Sequence, residues 1–166
     1  MSRINHVANV FADLGREMNM GPLKLDDTDR LSLLFDGVLV TFSYSTEPME
    51  LIWIYVDLGE IPSGGVLAMQ RLLACAFESW MTSIMTIGMD DDGRNAVGFT
   101  SIPVSTLSVQ AVRETVGAML RAAAKTSDAI AAAAFEQVQG DATNSASCSS
   151  SPSPSASEVC SAWARA

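Results

Sequence analysis

The segment from Val66 to Met81 is apolar on nearly every side of the helix that its spacing predicts. Only Arg71 and Glu78 mark a narrow polar edge. A helix with this pattern must be covered on nearly every side, and one sheet in a chain of 166 residues cannot provide that cover. We therefore expect one side of the helix to pack on its own chain and another side to pack on a second copy.

The segment before this helix has the two-residue period of β-strands. Three strands are predicted, over Arg30–Asp36, Val38–Tyr44 and Met49–Leu58, and the third is apolar on both faces. Asp36-Gly37, between the first two, is a hairpin signal because both residue types tolerate positive φ angles. Strands joined by turns this short predict an antiparallel meander.

Two helical segments and a second hairpin complete the predicted fold. Apolar spacing predicts one helix over Ile4–Met18 and another from Ser105 onward, whereas Ile84–Met89 and Ala96–Ile102 have the pattern of paired strands. The predicted fold class is therefore α+β, in the order α-β-β-β-α-β-β-α, with helices packed on a twisted antiparallel sheet and two copies forming a homodimer.

The C-terminal part of the chain predicts a change of structure. The last helix can break at Lys125–Asp128, where Ser127 would cap a final Ala-rich helix that ends near Gln139. From Gly140 onward the sequence is rich in Ser, Ala and Pro, a composition typical of disorder. We therefore expect a folded domain over residues 1–139 and a disordered tail over 140–166.

Charge and cysteine content restrict the partners. The formal net charge is −9 and the pI is about 4.4, so the surface repels nucleic acid and anionic membranes and favours basic or mainly apolar partners. No apolar run is long enough to span a bilayer. The three cysteines, Cys75, Cys148 and Cys160, form no CxxC pair, which fits a reducing cytoplasm.

Residues that could carry chemistry are few. His6 is the only histidine and lies on the polar side of the first helix, so no catalytic triad or zinc site is expected. Asp90–Gly93 lacks the ligand spacing of a calcium loop and fits a hairpin turn better. We expect no cofactor, no metal and no enzymatic activity. A small-molecule-binding or enzymatic α+β domain, or an obligate subunit of a cytoplasmic complex, remains the alternative.

The element order, length, acidity and all-round apolar second helix resemble the class I type III secretion chaperones, the family of the Tir chaperone, over about Arg3–Gln139. The resemblance implies a homodimer in the bacterial cytoplasm. It also implies that an extended segment of a secreted effector wraps around this dimer, which keeps the effector soluble and competent for secretion without catalysis. Such a segment can add a strand to an exposed sheet edge and place side chains in apolar pockets.

The same resemblance assigns residues to two surfaces. The first helix and the meander match the elements that bind the effector, and the second helix with the strand after it matches the homodimer interface. The residues assigned to effector binding are Val7, Val10, Phe11, Leu14, Leu31, Leu33, Val40 and Trp53. The residues assigned to the dimer interface are Leu72, Leu73, Ala76, Phe77, Trp80, Ile84 and Thr86.

Overall fold

An antiparallel meander of three strands forms the first half of the sheet, as its alternating sequence predicts. β1 covers Arg30–Phe35, β2 covers Val38–Ser45 and β3 covers Leu51–Glu60. Asp36 and Gly37 join the first two strands with φ angles of 48° and 87°, the positive values that a tight two-residue hairpin requires. The local turn chemistry therefore sets the register of this hairpin.

Two later strands complete a five-stranded sheet in the order β1-β2-β3-β5-β4, in which all neighbours are antiparallel. β4 covers Thr86–Met89 and β5 covers Asn95–Pro103. The fifth strand lies between the third and the fourth, so β1 and β4 are the two edges. The predicted start of the fourth strand at Ile84 is wrong, because Ser83 takes a left-handed conformation to end the preceding helix and residues 83–85 connect the two elements.

Three α-helices accompany the sheet within residues 3–62 and 65–147, the part of the chain that the computed structural model describes. α1 covers Arg3–Glu17, α2 covers Val66–Thr82 and α3 covers Val109–Ser147. A short 3-10 turn, Val104–Thr106, precedes the last helix. The predicted α+β class and element order are confirmed.

The hydrophobic core lies on one face of the sheet. Ile52, Ile54 and Val56, which alternate along β3, are fully buried. Phe11 of α1 packs edge-to-face on Phe42 of β2, with ring centroids 5.2 Å apart. Burial of each large apolar side chain contributes about 1.5–3 kcal/mol, so this layer supplies much of the driving force for folding. The third helix adds Val112, Val116, Met119, Ala123, Ile130 and Ala133 to the same core.

The predicted break at Ser127 is wrong, because α3 is continuous across this position. The Thr126 hydroxyl donates to the Ala122 carbonyl within the helix (2.9 Å), and the Ser127 hydroxyl donates to the Leu58 carbonyl of β3 (2.8 Å). Both polar side chains therefore have partners that leave the helical backbone intact.

The chain divides into a compact unit over Met1–Ala134 and a second unit over Phe135–Ala166. The described part of the second unit is helical through Ser147, beyond Gly140, where the tail was expected to begin. Residues 148–166 lie outside the described residues, and disorder in that part of the tail stays a prediction.

Candidate functional site

The second helix presents one apolar stripe to its own chain and another to solvent. Ala68 and Leu72 are buried, and the buried Ser79 hydroxyl donates to the Met85 carbonyl (2.7 Å). Exposed side chains recur on the opposite side at helical spacing, and large exposed apolar patches of this kind mark interaction surfaces. This exposed stripe consists of Val66, Leu73, Phe77, Trp80 and Met81.

Most residues predicted at the dimer interface lie at or beside this stripe. Leu73, Phe77 and Trp80 are 63%, 64% and 67% exposed, and the rings of the last two lie 6.3 Å apart. Ala76 is half-buried. Leu72 instead faces the core, because it lies on the buried side of the helix. Outside the helix, Ile84 is half-buried and Thr86 is exposed at the start of β4.

A second surface is the free edge of β1. The Arg30 N–H and C=O bind Asp26 rather than β2, so the Arg30–Ser43 pair is a non-hydrogen-bonded pair. Such pairs alternate along antiparallel strands, so the N–H and C=O groups of Ser32 and Leu34 also point away from β2. These two residues therefore offer backbone groups with no partner among the described residues, at an open edge that is a template for an added strand.

An apolar pocket of about 190 Å³ lies beside this edge, between α1, the β1–β2 hairpin and α3. It is large enough for one or two aliphatic side chains. Arg113 at its rim donates to a Glu17 carboxylate oxygen at 3.0 Å, so this charge is paired outside the pocket. The apolar side chains that line the pocket are Leu14, Met18, Phe35, Phe42, Val112, Val116 and Leu120.

The structure places most residues predicted to bind the effector in the hydrophobic core. Their apolar spacing in α1 and β2 predicts a core position as well as a binding position, and burial between helix and sheet decides for the core. Leu14 still lines the pocket beside β1, and Leu31 and Trp53 are only half-buried. The buried residues of the predicted set are Val7, Val10, Phe11, Leu14, Leu33 and Val40.

The opposite face of the sheet carries an aromatic cluster, of which the sequence assigned only Trp53 to a binding surface. Trp53 and Tyr55 alternate with core residues along β3, and Phe99 of β5 pairs with Tyr55 across the ladder. The three ring centroids lie 6.3–6.5 Å from one another. All three side chains are half-buried. The sequence of the third strand, apolar on both faces, indicates Trp53 and Tyr55. Phe99 joins them only through the pairing of β3 with β5, which the sequence does not specify.

Two aspartates hold tight loops through hydrogen bonds to the backbone. The Asp26 carboxylate accepts bonds from the Thr28 hydroxyl and from the N–H groups of Thr28 and Arg30, and these bonds lower its pKa. Asp90 accepts bonds from the backbone N–H and side-chain amide of Asn95 and from the Arg94 N–H, which likewise lower its pKa. The turn interpretation of Asp90–Gly93 is therefore supported.

Among residues 3–62 and 65–147, no three His, Cys, Asp or Glu side chains are grouped to hold a metal ion. Among residues 4–62 and 65–136 no carboxylate or histidine is buried, and the His6 Nε2 lies 3.1 Å from the Leu107 carbonyl. None of the helices in these ranges has the length and apolarity that a membrane crossing requires.

Solved structures of other proteins resemble this chain in fold. One chain of the HopA1–SchA chaperone–effector complex has a TM-score of 0.65 and 23% identity, over 77% of this chain and 97% of that one. One chain of the ExsC–ExsE complex has a TM-score of 0.63 and 24% identity, over 74% of this chain and 92% of that one. One chain of the ExoU–SpcU complex, from the type III secretion system of Pseudomonas aeruginosa, has a TM-score of 0.55 and 19% identity, over 74% of this chain and 96% of that one.

Curated proteins yield no match to the chain. A model of the Tir chaperone protein (CesT) family matches residues 9–127. Because this match covers more than half of the sequence, the chain belongs to the Tir chaperone protein family.

Proposed function

We propose that this protein is a type III secretion chaperone that binds an extended segment of a secreted effector and keeps it soluble and competent for secretion. Membership of the Tir chaperone family supports this function, as does the similar fold of chains from chaperone–effector complexes. The observation that carries the proposal is the open β1 edge with an apolar pocket directly beside it. An extended polypeptide can use both at once, whereas a rigid folded surface cannot.

In this mechanism the effector segment adds a strand to the sheet. Its backbone pairs with the outward N–H and C=O groups of Ser32 and Leu34. Because strand side chains alternate, every second side chain of the segment points toward the pocket and the others lie over the side of the sheet that carries Leu34. Backbone bonds then give affinity for many sequences, and the pocket selects aliphatic side chains.

The exposed stripe on α2 is assigned to the homodimer. Solvent exposure of Leu73, Phe77 and Trp80 in a single copy is costly, and a two-fold interface would cover each stripe with its counterpart. In such a dimer the two β1 edges remain free, because they lie at the opposite side of each sheet from β4 and the helix that packs beside it. One effector segment can then contact both copies.

The proposed place of action is the bacterial cytoplasm, where effectors are present before they are secreted. No catalytic step, cofactor, nucleic acid or membrane belongs to the proposal. The enzymatic alternative requires a buried acid beside an enclosed cavity, and no carboxylate among residues 4–62 and 65–136 is buried.

The test is a proline at the open edge. Leu34 is 68% exposed and its N–H points outward, so Leu34→Pro removes one donor for an added strand and leaves the β1–β2 ladder intact. Leu34→Ala is the matched control, since it removes the same side chain but keeps the donor. The readout is the soluble yield of an effector coexpressed with each variant and its co-purification. We expect Leu34→Pro to lose the complex and Leu34→Ala to keep it. Equal binding by both would contradict strand addition at β1.

A further inference from the structure

Carboxylates lie at both ends of the free β1 edge. Asp27 and Asp29 precede the strand, and Asp36 follows it in the hairpin turn. All three side chains are exposed, and none of these carboxylates has a hydrogen bond or ion pair with another described residue. An added strand would therefore begin and end beside uncompensated negative charge.

Nearby cations neutralise only part of this charge. Arg30 lies close enough to Asp26 to favour its ionised form, and Lys24 is exposed in the preceding loop. Residues 24–36 thus carry four carboxylates against two cations, a net charge of −2. Two nearby cations are already paired, because Arg16 of α1 pairs with Asp13 and Arg113 at the pocket rim pairs with Glu17. The Arg121 guanidinium lies near Gly117, on the α3 side of the pocket and not at the β1 edge.

We infer that the β1 edge selects an extended client segment in which a short apolar stretch is flanked on both sides by Lys or Arg. This inference rests on the proposed function and specifies the chemistry of the partner. The apolar stretch fits the pocket and the outward groups of Ser32 and Leu34, while the basic flanks lie beside Asp27, Asp29 and Asp36. Opposite charges that lie close in an interface also accelerate association and discriminate between partners.

The experiment uses three synthetic peptides with one alternating Val-Thr stretch of about six residues, the length that matches β1, flanked by Lys-Lys, Ser-Ser or Glu-Glu pairs. Binding to the full chain is measured by fluorescence anisotropy, and the contact site by the amide resonances of Ser32 and Leu34. At about 50 mM salt we expect the Lys-flanked peptide to bind roughly tenfold more tightly than the Ser-flanked one. At about 500 mM salt the difference should disappear because the charges are screened.

Two triple variants locate the charge. Asp27→Asn/Asp29→Asn/Asp36→Asn removes the carboxylates at the edge, and Asn tolerates the positive φ angles at positions 29 and 36. Asp91→Asn/Asp92→Asn/Asp128→Asn removes the same number of charges elsewhere; all three carboxylates are exposed, and the first two lie in the turn between β4 and β5, at the far side of the sheet from β1. We expect only the first variant to abolish the preference for Lys flanks.

Each outcome separates the inference from the function on which it rests. Equal affinity for Lys-flanked and Ser-flanked peptides overturns the charge selection and leaves strand addition standing. If both triple variants lose the preference for Lys-flanked peptides equally, the preference comes from the overall charge of the protein and not from the β1 edge. That result also overturns the inference. If no peptide shifts the Ser32 and Leu34 resonances, strand addition at β1 itself fails.

Discussion

The rings of Phe77 and Trp80 lie 6.3 Å apart on the solvent side of α2, tilted by 36°. Both residues are about two-thirds exposed, although aromatic side chains of this size are usually buried in folded proteins. The pair is three residues apart, so it forms one continuous apolar surface together with Leu73 one turn earlier. This geometry suits a helix that meets its counterpart in a second copy.

Replacement of one of these rings by a charge should separate the dimer. Phe77→Glu would bury a carboxylate without a partner in the proposed interface, a cost of several kcal/mol. Stability of the single chain should change little, because the side chain has few contacts with its own core. Sedimentation velocity at micromolar concentration is expected to show a dimer for the natural sequence and a monomer for the variant.

Met49→Glu is the control for this prediction. Met49 is also a large exposed apolar residue, but it lies in the connection between β2 and β3. The Met49→Glu variant should therefore still form the dimer. A monomeric natural chain, or a variant that still dimerises, would contradict the assignment of α2 to the interface.

Phe11 should behave as a core residue and not as a contact residue for a client. It is fully buried against Phe42, so Phe11→Ala leaves a cavity and should lower the free energy of unfolding by about 3–5 kcal/mol. Urea denaturation followed by circular dichroism measures this loss. A variant of undiminished stability that no longer binds a client would restore the binding role that the sequence predicted.

The sequence predicts those parts of the fold that neighbouring residues determine, and it predicts less well the parts that depend on contacts between distant residues. Asp36-Gly37 determines a hairpin from two adjacent residues, and the predicted turn is present. The placement of β5 between β3 and β4 depends on pairing between distant strands, which no local pattern specifies. The hydroxyl of Ser127 was predicted to cap a helix, and its actual acceptor, the Leu58 carbonyl, lies 69 residues away in sequence.

The candidate surfaces were predicted unevenly for the same reason. An all-round apolar helix implies exposure on one side, so Leu73, Phe77 and Trp80 could be found from the sequence. An apolar stripe on an amphipathic helix such as α1 implies only that it faces something apolar. Phe11 was therefore assigned to a client when it faces the core. The pocket beside β1 combines three elements, and its far wall of Val112 and Val116 becomes visible only in the structure.

Stability should fall in acid partly through Asp90. Its hydrogen bonds with Asn95 lower its pKa from the usual 3.8, so its stabilising effect is complete above that value and is lost as the pH falls through the lower folded-state pKa. Asp90→Asn should therefore lower the melting temperature near pH 7 and flatten its decline below about pH 4. Asp91→Asn, an exposed position in the same turn, is the matched control and should melt close to the natural protein at about pH 7. Identical curves for the two variants would contradict the role of Asp90.

Two glycines inside helices should respond to alanine in opposite directions. A Cβ on Gly15 of α1 would lie 2.0 Å from the Gly21 carbonyl oxygen, because the chain after the helix folds back against this position. Backbone must then move, and Gly15→Ala should destabilise the fold by more than about 1–3 kcal/mol, the usual cost of overpacking.

Gly117 of α3 is the matched position. A Cβ there would lie 3.5 Å from its nearest neighbour, the end of the flexible Arg121 side chain. Alanine is preferred over glycine in helix interiors by about 1 kcal/mol, so Gly117→Ala should raise the melting temperature. Thermal denaturation of the two variants side by side checks both signs, and a stabilised Gly15→Ala would show that the end of α1 does not pack on the following chain as described.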